Sequence, residues 1–300
     1  MAFKPPSQVA VAKAFPKLDN ISPIRNGGFK AVFSATAGGK KEALKLIHVP
    51  PVANPSREDE VLAQKESKGR VRRELGLLGK IKCQEFVKLG SLRPTEVQIE
   101  EQDFIAYTEE FLDGKNLWDL IKEDGAKPTE RELRELFTAI VTAIDELWGQ
   151  HKTVHRDISP LNVIKLADGK RPFVLIDLGI AFVVGETALT SAGFPCNHRY
   201  MAPEMIQANF RDSLDFRSDL YTTALTIYEY AAQRHPIAGS LEDMMVTVNR
   251  AVRDIPAPLK DYRADLAADF CETIDQLLKK KPSLRPGNLQ ALLVKAGTRS

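Results

Sequence analysis

The stretch "VHRDISPLNVIKL", Val154–Leu166, carries a dense group of potentially reactive side chains. It places a histidine, an arginine, an aspartate and an asparagine within eight residues, and apolar β-forming residues lie on both sides of them. An Asp with a nearby Asn in a loop is by itself ordinary turn chemistry. The interpretation therefore depends on whether other parts of the chain supply residues that act with these four.

The composition is that of an ordinary soluble globular protein. The 300 residues are 43% hydrophobic and 27% charged, with a net charge of +2, and are enough for one large domain or two lobes. Nothing in this balance requires a nucleic-acid or membrane partner, and no uncharged apolar run approaches the ~20 residues of a membrane span. The three cysteines are widely spaced, and the N-terminus lacks a secretory signal pattern. We therefore expect a reducing, cytoplasmic location without a disulfide framework or zinc site.

Strand-like patterns dominate the first part of the chain. Residues 1–20 are expected to form a loosely structured lead-in, and from Ile21 to about Ile47 two β-rich runs flank Gly38–Gly39, which predicts a hairpin. A charged helix is expected from about Arg57, and residues 86–112 alternate again like the last strands of an antiparallel sheet. The second half of that helix places three apolar residues on one face: Val71, Leu75 and Leu78.

Helical patterns dominate the second part. Thr129 and Glu132 have the spacing of a capping box, and apolar residues recur at three- and four-residue steps from Leu133 to Trp148. We expect a strand-rich first lobe and a helix-rich second lobe, with the seam near Leu112–Lys115. Ligands often bind in clefts between such lobes.

Three motifs in this order, "HRDISPLN", "IDLG" and "YMAPE", resemble the eukaryotic-type (Hanks-type) protein kinase family, and specifically its serine/threonine-like members. The resemblance implies an α+β, bilobal kinase domain at residues 21–295. Its small β-rich N-lobe would span residues 21–112 and its larger α-helical C-lobe residues 116–295. The resemblance also implies ATP and Mg²⁺ as cofactors and a protein as substrate.

The resemblance implies five catalytic residues. Asp157 matches the residue that orients the substrate hydroxyl and accepts its proton. Asn162 and Asp177 match the two Mg²⁺ ligands, and both supply the oxygen atoms that this ion prefers. Lys45 matches the lysine that contacts the α- and β-phosphates, and Glu74 in the following helix matches its partner.

Other matching positions are implied to contact the nucleotide or to support the fold. Asp219 matches an aspartate that braces the catalytic loop, and Glu204 and Arg285 match a buried ion pair of the helical lobe. The positions implied to bind the nucleotide are Ile24, Gly27, Val32, Ala43, Lys45, Glu110, Leu112, Asn162 and Asp177.

The glycine-rich loop departs from the family pattern. The family carries G-x-G-x-x-G-x-V over the phosphates, whereas this chain has "RNGGFKAV", with Arg25, Gly27 and Lys30 at the three glycine positions. Glycine lets backbone amides approach phosphates closely. Either Arg25 or Lys30 compensates by placing a cation on the phosphates, or both face solvent and nucleotide binding is weaker.

The substrate-facing region also departs from the pattern. Ser159 stands where serine/threonine kinases of the family usually carry a lysine, and Phe194 stands at the threonine that would pair with it. Pro160 and the absence of the tyrosine-kinase Ala-Ala-Arg signature favour serine or threonine as acceptor. At the back of the implied adenine pocket the best register places Glu109, and a shift by one residue would place Thr108 there instead.

The resemblance further implies regulation by phosphorylation. Arg156 matches an arginine that often pairs with a phosphate on the activation segment, and Thr190, or else Ser191, lies where that phosphate commonly falls. The alternative is an ordinary polar loop. Two alternatives to a protein kinase stay open: a pseudokinase scaffold with little turnover, which the altered glycine loop and Ser159 favour, and a small-molecule kinase, which generally lacks the "APE" segment.

Overall fold

The computed structural model describes residues 3–51, 58–125, 127–178, 198–206, 214–239 and 242–297. These residues form two compact units. Among the described residues, the first unit contains residues 3–81 and 87–112, and the second contains residues 82–86 together with those from 113 onward.

The first unit is built on a five-stranded antiparallel sheet with the strand order β1-β2-β3-β5-β4. The predicted hairpin is present, and Gly38 and Gly39 form its turn with φ of +55° and +82°, a backbone region that glycine enters without steric cost. The strands are β1 (Asp19–Asn26), β2 (Lys30–Ala37), β3 (Lys40–Val49), β4 (Thr95–Ile99) and β5 (Gln102–Glu110).

A short N-terminal helix covers one face of this sheet. Helix α1 (Gln8–Ala14) begins after Ser7, whose hydroxyl accepts a hydrogen bond from the Ala10 amide, and Val11 and Phe15 join the apolar cluster on the sheet. The expectation of a loosely structured lead-in was therefore wrong. The sheet face needs apolar cover, and this segment supplies it.

Helix α2 (Glu58–Leu78) follows β3, and its three predicted face residues, Val71, Leu75 and Leu78, are all buried. The residues after the helix only partly meet the strand expectation. Between residue 86 and the start of β4 the chain forms isolated bridges, such as Leu89 with Glu109, rather than a strand.

The second unit is mainly helical and also contains a small three-stranded sheet. The predicted N-terminal cap by Thr129 is present, because its hydroxyl accepts a hydrogen bond from the Glu132 amide at 3.2 Å and helix α4 (Glu130–His151) starts directly after Thr129. The Glu132 carboxylate instead accepts a hydrogen bond from Lys165 Nζ at 2.6 Å. No helix among the described residues is long and apolar enough to cross a membrane. The elements are β6 (Gly114–Asn116), α3 (Leu117–Asp119), α4 (Glu130–His151), β7 (Val163–Leu166), β8 (Phe173–Leu175), α5 (Phe216–Ala232), α6 (Met244–Arg253), α7 (Ala268–Leu277) and α8 (Leu289–Gly297).

Candidate active site

One face of the first unit's sheet carries most of the N-lobe residues implied by the resemblance. Directly opposed residues of antiparallel strands share a face of the sheet, and residues two apart along a strand share it too. Val32 lies opposite Lys45, and Ala43 lies opposite Glu109, so these four side chains belong to one face. Arg25 lies opposite Val32 and joins the same face.

Lys45 forms a buried ion pair with Glu109. The Nζ atom lies 2.6 Å from Glu109 Oε2, and the two side chains are only 5% and 3% exposed. The family resemblance implied Glu74 as the partner of Lys45, and no sequence pattern predicted the pair with Glu109. Glu74 lies on α2 and is half-buried.

The register of β5 on β3 shows whether Thr108 or Glu109 lies on the same face of the sheet as Lys45. Thr108 pairs with Leu44 and therefore points to the opposite face of the sheet. Its Oγ1 atom accepts a hydrogen bond from the Leu92 amide at 2.9 Å. Glu109, not Thr108, is the residue that shares a face with Ala43 and Lys45.

The remaining implied nucleotide positions of the first unit differ in exposure. Ile24 is exposed, and Gly27 forms the β1–β2 turn, where its amide donates to the Lys30 carbonyl at 2.7 Å. The Glu110 amide donates to the Lys88 carbonyl at 2.9 Å, so the backbone contribution of Glu110 to a base is limited to its carbonyl oxygen. Leu112 lies just after β5 and is half-buried.

In the second unit, Asn162 holds Asp157 in place. The Asn162 Nδ2 atom donates to the backbone oxygen of Asp157 at 2.8 Å and to its Oδ2 atom at 2.7 Å. Because the amide nitrogen is used by the loop, the Oδ1 atom of Asn162 points away from Asp157. This geometry results from the tight turn Pro160–Asn162 that leads into β7.

Asp219, in the first turn of α5, holds the loop before Asp157 in place. Its carboxylate accepts hydrogen bonds from the His155 amide at 2.7 Å and from the Arg156 amide at 2.9 Å. Burial raises the pKa of Asp219 to about 7, and the two amide hydrogen bonds oppose that rise. Arg156 has a φ of +69°, a strained value for a residue other than glycine, and these bonds help to hold it.

His155 is buried and uncharged at neutral pH. Burial lowers its pKa to about 4, although the nearby charge of Asp177 acts in the opposite direction. Its Nδ1 atom accepts a hydrogen bond from the Asp157 amide at 3.2 Å, which requires that nitrogen to be unprotonated.

Asp177 lies beside this loop. The Ile176 amide donates to the Asn162 carbonyl at 2.8 Å, which brings the residues after β8 next to the residues before β7. Asp177 is 9% exposed and has a φ of +59°. The structure thus brings together Asp157, Asn162 and Asp177, three of the five implied catalytic residues, within the second unit.

Ser159 is closed to solvent. It is 1% exposed, and its carbonyl accepts a hydrogen bond from the Asn162 amide at 2.9 Å. The position at which serine/threonine kinases of the family usually carry a lysine is therefore occupied by a small buried side chain.

The ion pair implied for the helical lobe is present. Arg285 Nη1 lies 2.6 Å from Glu204 Oε1, and Nη2 lies 2.9 Å from Oε2. The Ser218 hydroxyl adds a third hydrogen bond to the carboxylate at 2.6 Å, and the Arg285 side chain is fully buried.

Sequence reasoning missed two side chains that hold residues 82–86 on the second unit. The Glu146 carboxylate on α4 accepts hydrogen bonds from the Lys82 and Cys83 amides, and the Arg171 guanidinium donates to the Gln84 and Phe86 carbonyls. No local sequence pattern predicts these contacts, because the partners lie more than sixty residues apart in sequence. The predicted regulatory residues Thr190 and Ser191 lie outside the described residues, whereas Arg156 is described and half-buried.

Solved structures identify the class of fold. The kinase domain of PknI from Mycobacterium tuberculosis superposes with a TM-score of 0.62 at 21% identity, over 91% of this chain and 92% of that one. Rad53 (1–466) in complex with AMP-PNP gives a TM-score of 0.67 at 23% identity, over 93% of this chain and 64% of that one. The predicted α+β, bilobal kinase fold is confirmed.

The family follows from the sequence comparison. The family model described as the protein kinase domain matches residues 20–295, so this chain belongs to the protein kinase family. The dual specificity mitogen-activated protein kinase kinase mek-1 of Caenorhabditis elegans is 35% identical over 52% of this chain and 43% of its own length. The probable serine/threonine-protein kinase PknB of Corynebacterium glutamicum is 24% identical over 88% of this chain and 38% of its own length. The match covers less than half of the length of these two relatives.

Proposed function

We propose that this chain is an ATP- and Mg²⁺-dependent protein kinase that transfers the γ-phosphoryl group to serine or threonine hydroxyls of a protein. The observation that carries the proposal is the hydrogen-bonded arrangement of Asp157 and Asn162 beside Asp177. Phosphoryl transfer requires positioning and charge stabilisation more than covalent chemistry, and these three residues supply the groups for both.

The donor atoms of this site fit a magnesium ion. Asn162 presents an amide oxygen because its nitrogen is held by Asp157, and Asp177 presents a carboxylate. One or two such oxygen ligands, completed by phosphates and water, are a usual protein contribution to Mg²⁺ binding. The ion, when bound, would neutralise the charge that develops on the phosphates.

Each side chain then has a defined task. Asp157 would accept a hydrogen bond from the substrate hydroxyl and take its proton during transfer. Its orientation for this task is maintained by Asn162 Nδ2. Lys45 would contact the α- and β-phosphates from the face of the sheet that also carries Val32 and Ala43. AMP-PNP bound to Rad53, which shares the fold, is consistent with a nucleotide as the phosphoryl donor.

Two other functions compete with this proposal. A pseudokinase scaffold is favoured by the loop glycines replaced by Arg25 and Lys30 and by the buried Ser159. A small-molecule kinase is disfavoured by the Glu204–Arg285 pair, because small-molecule kinases of this resemblance generally lack the "APE" segment.

Intact-mass spectrometry separates the three functions. The phosphatase-treated chain is incubated with ATP and Mg²⁺ in the presence of a generic basic protein, alongside Asp157→Ala. We expect phosphate on serine or threonine residues with the wild type and none with the variant, and we expect Thr190 or Ser191 among the sites on the chain itself. ATP binding without any transfer to protein would support the scaffold, and transfer only to small hydroxyl compounds would support the small-molecule kinase.

A further inference from the structure

The Lys45–Glu109 ion pair is built entirely within one sheet. Lys45 lies on β3 and Glu109 on the neighbouring β5, two residues out of direct opposition, because Lys45 faces Tyr107 and Ala43 faces Glu109. Strands β3 and β5 stay in continuous register from the pair Glu42–Glu110 to the pair Val49–Asp103. The backbone ladder therefore fixes the positions of both residues independently of any helix.

The pair is also strongly shielded from solvent. With side-chain exposures of 5% and 3% and an N···O distance of 2.6 Å, neither charge is hydrated in the ordinary way. Removing one partner of a buried ion pair leaves the other charge uncompensated, which is costly. The ammonium group is therefore held where Glu109 places it, on the face of the sheet that Val32 and Ala43 share.

We propose that Glu109 is a positioning residue for Lys45 and that it holds the ammonium group from within the same sheet. This inference rests on the proposed function, in which Lys45 contacts the phosphates. Glu74 lies on helix α2, whereas Glu109 lies on a strand hydrogen-bonded to the strand of the lysine. Glu109 thus orients the ammonium group for transfer, and its negative charge partly opposes the phosphates in the ground state.

We expect removal of the Glu109 charge to lower turnover without weakening nucleotide binding. Glu109→Gln keeps the size of the side chain but removes its charge, so Lys45 loses its orientation and kcat falls by about tenfold to a hundredfold. The KM for ATP does not rise, because a charge that opposes the phosphates is removed as well. Glu109→Asp, which restores the carboxylate, recovers part of kcat. Glu74→Gln is the matched comparison and lowers kcat by less than Glu109→Gln.

A second readout does not depend on activity. The rate at which an amine-reactive reagent labels Lys45 at fixed pH, followed by peptide mass spectrometry, reports how strongly a counter-ion holds the ammonium form. We expect labelling to rise by about tenfold in Glu109→Gln, to rise by less in Glu74→Gln, and to stay near the wild-type rate in Glu109→Asp. Thermal unfolding of each variant identifies any that fails to fold, and Glu109→Asp then carries the comparison.

The two readouts separate the inference from the proposed function. If no protein, including the wild type, transfers phosphate, the proposed function fails while Lys45 labelling still decides the role of Glu109. If Glu74→Gln raises Lys45 labelling and Glu109→Gln leaves it unchanged, the inference is overturned.

Discussion

The side-chain amide of Asn162 donates to both the backbone oxygen and the carboxylate of Asp157, at 2.8 and 2.7 Å. One nitrogen atom thereby fixes the loop and the rotamer of the residue proposed to accept the substrate proton. Because these bonds use the Asn162 nitrogen, its Oδ1 atom points away from Asp157. This oxygen is the atom that we propose as a metal ligand. The positioning of Asp157 and the proposed metal binding are thus coupled through the Asn162 side chain.

The first prediction follows from this coupling. Asn162→Ala removes both the support of Asp157 and the amide oxygen, so we expect the phosphate-transfer rate to fall by about a hundredfold or more. Asn249→Ala, at an exposed position on α6, is the matched control and should transfer at the wild-type rate. Single-turnover transfer to a protein acceptor measures both. Comparable rates for the two variants would contradict the assigned role of Asn162.

The second prediction concerns the buried Glu204–Arg285 pair. Glu204→Ala leaves a fully buried guanidinium without its carboxylate, so we expect the free energy of unfolding to fall by about 3–5 kcal/mol. The Arg131–Glu135 pair on α4 has the same charges but side-chain exposures of 89% and 37%, so Glu135→Ala should cost less than about 1 kcal/mol. Urea titration gives both values. Equal losses would show that burial does not set the importance of the Glu204 pair.

The third prediction is a pH dependence of stability at His235. Its Nδ1 atom accepts hydrogen bonds from the Ile237 and Ala238 amides, and burial lowers its pKa to about 3. The unfolded chain binds a proton near pH 6.5 and the folded chain does not, so His235 makes stability fall as the pH drops from about 6.5 toward 3, by about 1.4 kcal/mol per pH unit.

His235→Asn tests this dependence, because asparagine keeps an acceptor but does not titrate. The difference in unfolding free energy between wild type and variant should be constant above about pH 7.5 and should shift in favour of the variant as the pH falls. Urea titrations at several pH values measure it. A difference that does not change with pH would rule out His235 as a source of acid sensitivity.

The fourth prediction concerns the altered glycine loop. Arg25 is opposite Val32, and Lys30 is two residues before Val32 on β2, so both belong to the sheet face of Lys45. This placement favours the hypothesis that a cation compensates for the missing glycines. We expect Lys30→Ala to weaken ATP binding by about fivefold, which corresponds to roughly 1 kcal/mol. Lys40→Ala, next to the hairpin turn and exposed, is the control, and calorimetry measures both. Unchanged affinity in Lys30→Ala would rule out Lys30 as the compensating cation.

The order of the motifs in the sequence was sufficient to predict the fold. Asp157 and Asn162 are only five residues apart in one loop, where their side chains are hydrogen-bonded, and local capping chemistry at Thr129 predicts where α4 begins. These features depend on residues close together in sequence, where propensity and periodicity are informative.

The features that the sequence did not predict depend on contacts between residues far apart in the chain. The choice between Thr108 and Glu109 required the register of β5 on β3, because a shift of one residue moves every side chain to the other face of the sheet. The packing of α1 on the sheet, and the hold of Glu146 on the Lys82 amide, join residues that are far apart in sequence. No local pattern encodes such pairings.

The most direct test of the central proposal separates chemistry from binding. Single-turnover phosphate transfer and ATP affinity are measured together for the wild type, for Asp157→Asn, which keeps an acceptor for Asn162, and for Asp168→Asn at an exposed turn. We expect Asp157→Asn to lose about a hundredfold or more in transfer rate with ATP affinity near that of the wild type, and Asp168→Asn to lose neither. Equal transfer rates for all three proteins would contradict the assignment of Asp157 as the catalytic base.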